Sequence, residues 1–265
     1  VNSPALQMLQ PTRSSIATSP HSPTALRQAL MRLMYDGASH GLRIELPPAG
    51  AHRIRDLVHR GAQRPVSKIT SVKLGRVVQC ESALEVDAIQ ILDAQGAVAT
   101  FSEQALRIHY HLDGQARHHV PDLAVLTHQG RLLLFEVKFQ SDVDENVQKR
   151  TALLQGALRA TGVQYQLLTE DQIRGGDNLQ RAIRVLRRAR HATCKVQLTT
   201  VLDRLVRLGC AELSTFDWDV PGSVAACSIA YLLVQGRASL DASVPLTART
   251  RVWANQGSTR EALTW

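Results

Sequence analysis

Residues 121–138 read "PDLAVLTHQGRLLLFEVK": a Pro-Asp pair, an apolar run broken by a turn at His128 to Gly130, then Glu-Val-Lys. The two apolar halves fit two strands, and "LLLF" reads as a strand buried on both faces. Successive side chains on a strand point to opposite faces, so Glu136 and Lys138 share one face and Val137 takes the other. Ions in such a place are costly unless paired or bound to a metal. Asp122 lies beside them at the start of the neighbouring strand, after a proline whose missing N–H is tolerated at an edge or bulge. Two carboxylates converging from adjacent strands form an oxygen-rich site suited to Mg²⁺ or Mn²⁺, and a lysine next to it can orient an attacking water or help deprotonate it.

A fourth member lies upstream. In "CESALEVDAIQILDAQG" (80–96), Leu84, Ala88, Ile91 and Leu92 recur near helical spacing, the acidic first turn suits the helix dipole, and Gly96 terminates the run. Glu85 shares a face with Ile89 and Leu92, which turns it toward the sheet; Glu81, one turn earlier, competes for the same role, and Asp87 faces away. Period-two patterns follow: "LRIHYHLDGQARHHV" (106–120) alternates into Asp113-Gly114, the signature of a type I′ hairpin. Val147, Thr151, Leu154 and Leu158 then mark a helix that Gly162 can cap, and "VQYQLLT" returns to strand alternation. The order is helix, three strands, helix, strand: an α/β unit covering 75–173.

The chain carries a net charge of +8 with a pI near 9.8, a balance that favours polyanionic partners. Residues 1–24 are rich in Ser, Thr and Pro, without a secretory pattern, and are expected to be a disordered tail; no apolar run is long enough for a membrane span, and the expected location is the bacterial cytoplasm. Cys80, Cys194, Cys210 and Cys227 have neither metal-ligand nor disulfide-framework spacing. Residues 25–74 read as a helical N-terminal extension, with "TALRQALMRLMYDGA" and "AHRIRDLVHRGA" separated by a proline break. Residues 174–265 begin with the basic amphipathic helix "NLQRAIRVLRRARHA", on which Arg181, Arg184 and Arg188 share one face, read as phosphate contacts against the plain alternative of a solvated face. Two more helices and short strands around Ser239 and Arg251 to Trp253 make this a winged-helix-like domain.

Other clusters carry less. His109, His111, His118 and His119 have no acidic or cysteine partner at ligand spacing and read as structural or surface residues. Asp142, Asp144 and Glu145 are helix-start charges, while Lys149 and Arg150 behind them can touch phosphate. Ser82 lacks a base and caps or packs, and no phosphate-binding loop for ATP is present.

Taken together, a glutamate-bearing helix, a hairpin, an Asp strand, a Glu-x-Lys strand, a helix and a strand form the arrangement of the PD-(D/E)xK, restriction-endonuclease-like nucleases. Within it the chain resembles the TnsA endonucleases of heteromeric transposases, on "GRVVQCESALEVD", "FSEQALRIHY", "HHVPDLAVL", "FEVK" and "YQLLTEDQI" in the family's order, over roughly Gly75 to Ile173. Ser82 to Glu85 aligns with the family's S-x-L-E, which favours Glu85 over Glu81; Asp122 and Lys138 fall on its catalytic aspartate and lysine, and Glu136 stands where some relatives carry Gln. The resemblance implies a subunit that cuts the 5′ strands at transposon ends, with a TnsB-type integrase-like partner cutting and joining the 3′ strands and a TnsC-type AAA+ regulator contacted by the C-terminal region.

In that reading Asp122, Glu136, Glu85 and the Val137 carbonyl hold Mg²⁺ or Mn²⁺, and Lys138 positions water for in-line attack on a phosphodiester. Two alternatives share the sequence: a catalytically silent DNA- or protein-binding adaptor, against which the retention of Glu85, Asp122, Glu136 and Lys138 counts, and a stand-alone restriction or repair nuclease of the same fold.

Overall fold

A computed structural model describes residues 23–54, 67–192 and 194–255. In chain order the elements are α1 (Pro23–Ala38), β1 (Arg43–Glu45), β2 (Ser67–Thr70), β3 (Val77–Cys80), α2 (Ala83–Ala94), β4 (Val98–Glu103), β5 (Arg107–Leu112), β6 (Gln115–His119), β7 (Leu123–Thr127) and β8 (Leu132–Val137). There follow α3 (Glu145–Arg159), β9 (Gln164–Leu168), α4 (Glu170–Arg174), α5 (Asn178–Ala189), α6 (Lys195–Leu208), β10 (Cys210–Glu212), α7 (Val224–Val234), β11 (Ala238–Leu240) and β12 (Arg251–Ala254). The architecture is mixed α/β. Among the described residues no helix is long and apolar enough to cross a membrane.

The central sheet has the order β4-β7-β8-β9, antiparallel except for the parallel β8–β9 pair. Every residue of β7 and β8 is buried, as expected for central strands covered on both faces. Val125, Leu133 and Phe135 point into a core shared with α2, α4 and α5, while Ala124, Leu126 and Leu134 point into a second core built with α1 and α3. Helix α3 buries Val147, Thr151, Leu154 and Leu158, the four positions its periodicity selects, and Asp144 caps it by accepting from the Val147 N–H at 2.7 Å.

Two sequence expectations change here. Five strands, not three, separate α2 from α3. Strand β4 escaped because all six of its residues are buried, so "VATFSE" shows no alternation. The hairpin β5–β6 does form at Asp113-Gly114, both with positive φ (52° and 72°) as a type I′ turn demands, but it leaves the central sheet and pairs with β1 instead. The N-terminal extension is therefore not wholly helical: α1 starts at Pro23, and β1 and β2 follow. The expected tail falls outside the described residues except for Pro23 and Thr24, and most of the second N-terminal helix also lies outside them.

Asp93, fully buried at the end of α2, orders the β2–β3 connection by accepting from Ser71 Oγ (2.6 Å) and the N–H groups of Val72 (2.8 Å) and Lys73 (2.9 Å). The C-terminal region packs α5, α6 and α7 against a sheet of order β10-β12-β11. Its apolar α7 is buried along most of its length rather than presented to solvent.

Three arginines of α5 face that region. Arg181 donates to the carbonyls of Asp241, Ala242 and Val244, Arg184 to that of Leu246, and Arg188 to that of Trp218, over whose ring it also stacks at 4.3 Å. Helical spacing had marked these three as a phosphate-binding stripe. Their guanidinium groups are spent instead on carbonyls of loops that no helix or strand ladder satisfies, a use of charge that sequence cannot distinguish from a solvated face. Replacing Arg188 by Ala is expected to cost about 1.5–3 kcal/mol in urea unfolding, since charged hydrogen bonds and the cation–π contact go together. Arg188→Lys should recover only part of that.

Candidate functional site

The register Leu123↔Phe135 and Ala124↔Leu134, carried one step further, sets Asp122 directly across from Glu136 on the same face of the sheet. Like charges in such a position repel, so the pair requires compensation. Part of it comes from the backbone: the Val137 N–H donates to Asp122 Oδ2 at 2.8 Å. The sequence assigned Val137 a carbonyl contact to metal; the peptide reaches the site, and its N–H holds Asp122.

Glu136 is 4% exposed and gathers cations. Arg150 approaches its Oε1 at 3.1 Å and Lys138 the same oxygen at 3.5 Å, while His119 Nε2 lies 2.9 Å from Oε2. Burial pushes the Glu136 carboxyl upward, but the His119 hydrogen bond and the charges of His119, Arg150 and Lys138 outweigh it and hold the group below the ordinary value. Asp122 goes the other way: burial, then the charges of Glu136 and Glu85, raise it well above its ordinary range, against the Val137 hydrogen bond and Lys138.

Glu85 comes from the first turn of α2. Ser82 is the N-cap and accepts from the Glu85 N–H at 3.1 Å, while the Glu85 carboxylate accepts from the Glu81 N–H (2.9 Å) and Ser82 Oγ (3.1 Å). Glu85 thus closes its own helix end while standing near enough to raise Asp122; burial is the main cause of its own upward shift, with Glu81 and Glu136 adding to it. Glu81, the competitor, lines the cavity itself and accepts from Gln104 Nε2 at 3.0 Å. Asp87 does face away, toward Arg174 at 2.6 Å.

The cavity holds about 310 Å³ and is walled by Glu81, Asp122, Glu136, Lys138 and Arg150 together with Arg107, His118 and His119 of the hairpin. Of the sequence-assigned phosphate contacts, Arg150 lies in this wall, whereas Lys149 pairs with Glu145 on the exposed side of α3. His119 was missed. It is nearly buried, with Nε2 between Glu136 and the Tyr165 hydroxyl, the latter 3.0 Å away on β9. The available signal was its place in β6 three residues before Asp122, in the wall that only the hairpin's departure from the central sheet creates.

For a cation, the donors on offer are carboxylate oxygens, the hard set that Mg²⁺ and Mn²⁺ prefer. Glu136 Oε2 is a buried acceptor beside the His119 imidazole, and the elevated Asp122 lies opposite it. Among the described residues no three His, Cys, Asp or Glu side chains stand together ready to hold a metal. Asp122 and Glu136 are the carboxylates here that could hold a cation.

No family model matches the chain, and no curated protein sequence matches it. Among solved structures, the crystal structure of protein VC1899 from Vibrio cholerae aligns at 16% identity over 61% of this chain and 51% of that one, with a TM-score of 0.24. The chain spans about half the length of that protein.

The electrostatics predict a pH dependence. Because folding raises the Asp122 pKa, the folded chain holds a proton that the unfolded chain has released, so this group's contribution falls as pH rises from the ordinary carboxylate range through the raised value. Asp122→Asn removes that loss while an amide oxygen can still accept from Val137. In chelator, thermal melts should find the variant more stable than the parent at neutral pH, with the difference closing below the carboxylate range.

Proposed function

We propose that this chain is a divalent-cation-dependent DNA endonuclease of the PD-(D/E)xK type, acting as the TnsA-like 5′-strand-cutting subunit of a heteromeric transposase. The observation that carries the reading is the meeting of Asp122, Glu136 and Lys138 on one face at one end of the two central strands, with Glu81 and Glu85 arriving from the start of α2. The chain order helix, strand, strand, strand, helix, strand around that sheet, once the hairpin is set aside as an insertion, agrees with it.

Asp122 and Glu136 would hold the cation, with Glu85 or Glu81 completing the acidic wall. When bound, the cation supplies Lewis acidity toward a phosphoryl oxygen and stabilises the developing charge. Lys138, 30% exposed at the cavity, is placed to orient the attacking water and hold it in line with the leaving oxygen. His119 and Arg150 fix the Glu136 carboxylate from two sides, as groups behind metal ligands commonly do. The C-terminal strand order β10-β12-β11, with α7 directly before β11, supports a winged-helix-like reading. Since most of α7 is buried, that helix offers little free surface among the described residues, which favours protein contacts, including a TnsC-type AAA+ regulator, alongside a TnsB-type partner at the transposon ends.

In a reconstituted excision reaction with Mg²⁺ and the partner recombinase, Asp122→Ala and Lys138→Ala should each lower 5′-strand cleavage by about 10²-fold or more while duplex binding persists. Intact cleavage by either variant would remove the assignment, and efficient cutting of plain duplex by the isolated protein would move it to a stand-alone nuclease. Independently of activity, Mg²⁺ at about 100 times its Kd should stabilise the parent by about 2.7 kcal/mol and leave Asp122→Ala nearly unmoved.

A further inference from the structure

The catalytic cavity has one wall that continues onto an open surface. Arg107 and His118 line the cavity, and both belong to the small sheet of order β1-β5-β6. Its registers pair Arg43 with His109, Glu45 with Arg107 and His109 with His118, so Arg43, Glu45, Arg107, His109, His111 and His118 share one face. The opposite face is buried through Ile44, Ile108, Tyr110 and His119, which fixes the first face outward.

That outward face is built from donors. Arg43, His111 and His118 are exposed, and Arg107 and His109 are partly so. Its one acid, Glu45, is bridged by Arg107 at 2.8 Å and by His109 at 3.1 Å, which leaves Arg43 as surplus positive charge. Arg43 Nη2 lies 3.1 Å from His109 Nδ1; with Nδ1 accepting from Arg43 and Nε2–H donating to Glu45, the three groups form a consistent chain. Along β5, Arg107 to His111 covers about 13 Å, enough to follow several phosphates of one strand. On α5, Arg181, Arg184 and Arg188 donate instead to the carbonyls of Val244, Leu246 and Trp218.

We infer that the outward face of the β1-β5-β6 sheet is the track on which the phosphate backbone of duplex DNA lies as it enters the cavity. The inference rests on the DNA-cleaving reading of Asp122, Glu136 and Lys138 and adds to it the surface that seats the substrate. The hairpin is then an insertion that serves binding, since it carries cations from the cavity rim outward while its buried side anchors it to the core. Phosphate contacts of this sort carry no sequence information and set register and orientation.

The test is fluorescence anisotropy with a short duplex of arbitrary sequence and the full chain in chelator, between about 50 and 200 mM salt. The double variant Arg43→Gln/His118→Gln changes only exposed side chains and should bind several-fold more weakly, with the log–log salt slope shallower by about one. His111→Lys should bind more tightly with a slope steeper by about one, a gain that misfolding cannot produce. Unchanged slopes in both proteins, or no salt-dependent binding by the parent, overturn the track. Cleavage with Mg²⁺ and the partner recombinase separates the two readings. Slopes that shift as stated in proteins that never cut would retain the track and end the nuclease assignment. Unshifted slopes in proteins that cut normally would do the reverse.

Discussion

Two carboxylates set directly across from one another on adjacent buried strands are the constraint on which this structure turns. Asp122 and Glu136 occupy matched positions at one end of β7 and β8, where like charges repel. The surroundings answer the two differently. Glu136 receives His119, Arg150 and Lys138 and stays ionised, whereas Asp122 receives a backbone N–H and is pushed toward its protonated form. Such an opposed pair is poorly optimised for stability alone, and a bound cation would relieve it at one stroke.

The same economy of charge appears in the C-terminal region, with the opposite outcome. Arg181, Arg184 and Arg188 lie on one side of a helix and would look like a binding stripe in isolation, yet each finds carbonyls in the segments after Asp217 and Leu240. They join α5, which also packs against the α2 side of the central sheet, to the loop between β11 and β12 and to Trp218. Gly96 contributes to the same junction, because a Cβ there would stand 3.0 Å from the Leu233 carbonyl oxygen. The central sheet and the C-terminal region are thus packed together through α5 and the end of α2.

Legibility followed periodicity. Helix α3 was readable to the residue because it is amphipathic, with Val147, Thr151, Leu154 and Leu158 on one stripe. The I′ turn was readable because Asp-Gly has few other uses between alternating strands. Strand β4 was not, since burial on both faces erases alternation. Glu85 was placed on the right helix, but its double duty as a cap was hidden: the geometry of Ser82 and Glu85 depends on the backbone at Glu81, which no spacing rule encodes.

What the sequence determined by itself was the pairing of Asp122 with Glu136 and Lys138, because the short turn at His128 to Gly130 fixes the register of the two strands that it joins. Only the tertiary structure decided which side chains serve that pair. His119 reaches Glu136 because the hairpin leaves the central sheet to pair with β1, and the α5 arginines do not reach it because loops distant in sequence offer them carbonyls first. Both outcomes depend on contacts between segments far apart in the chain, where local pattern carries no information about the partner.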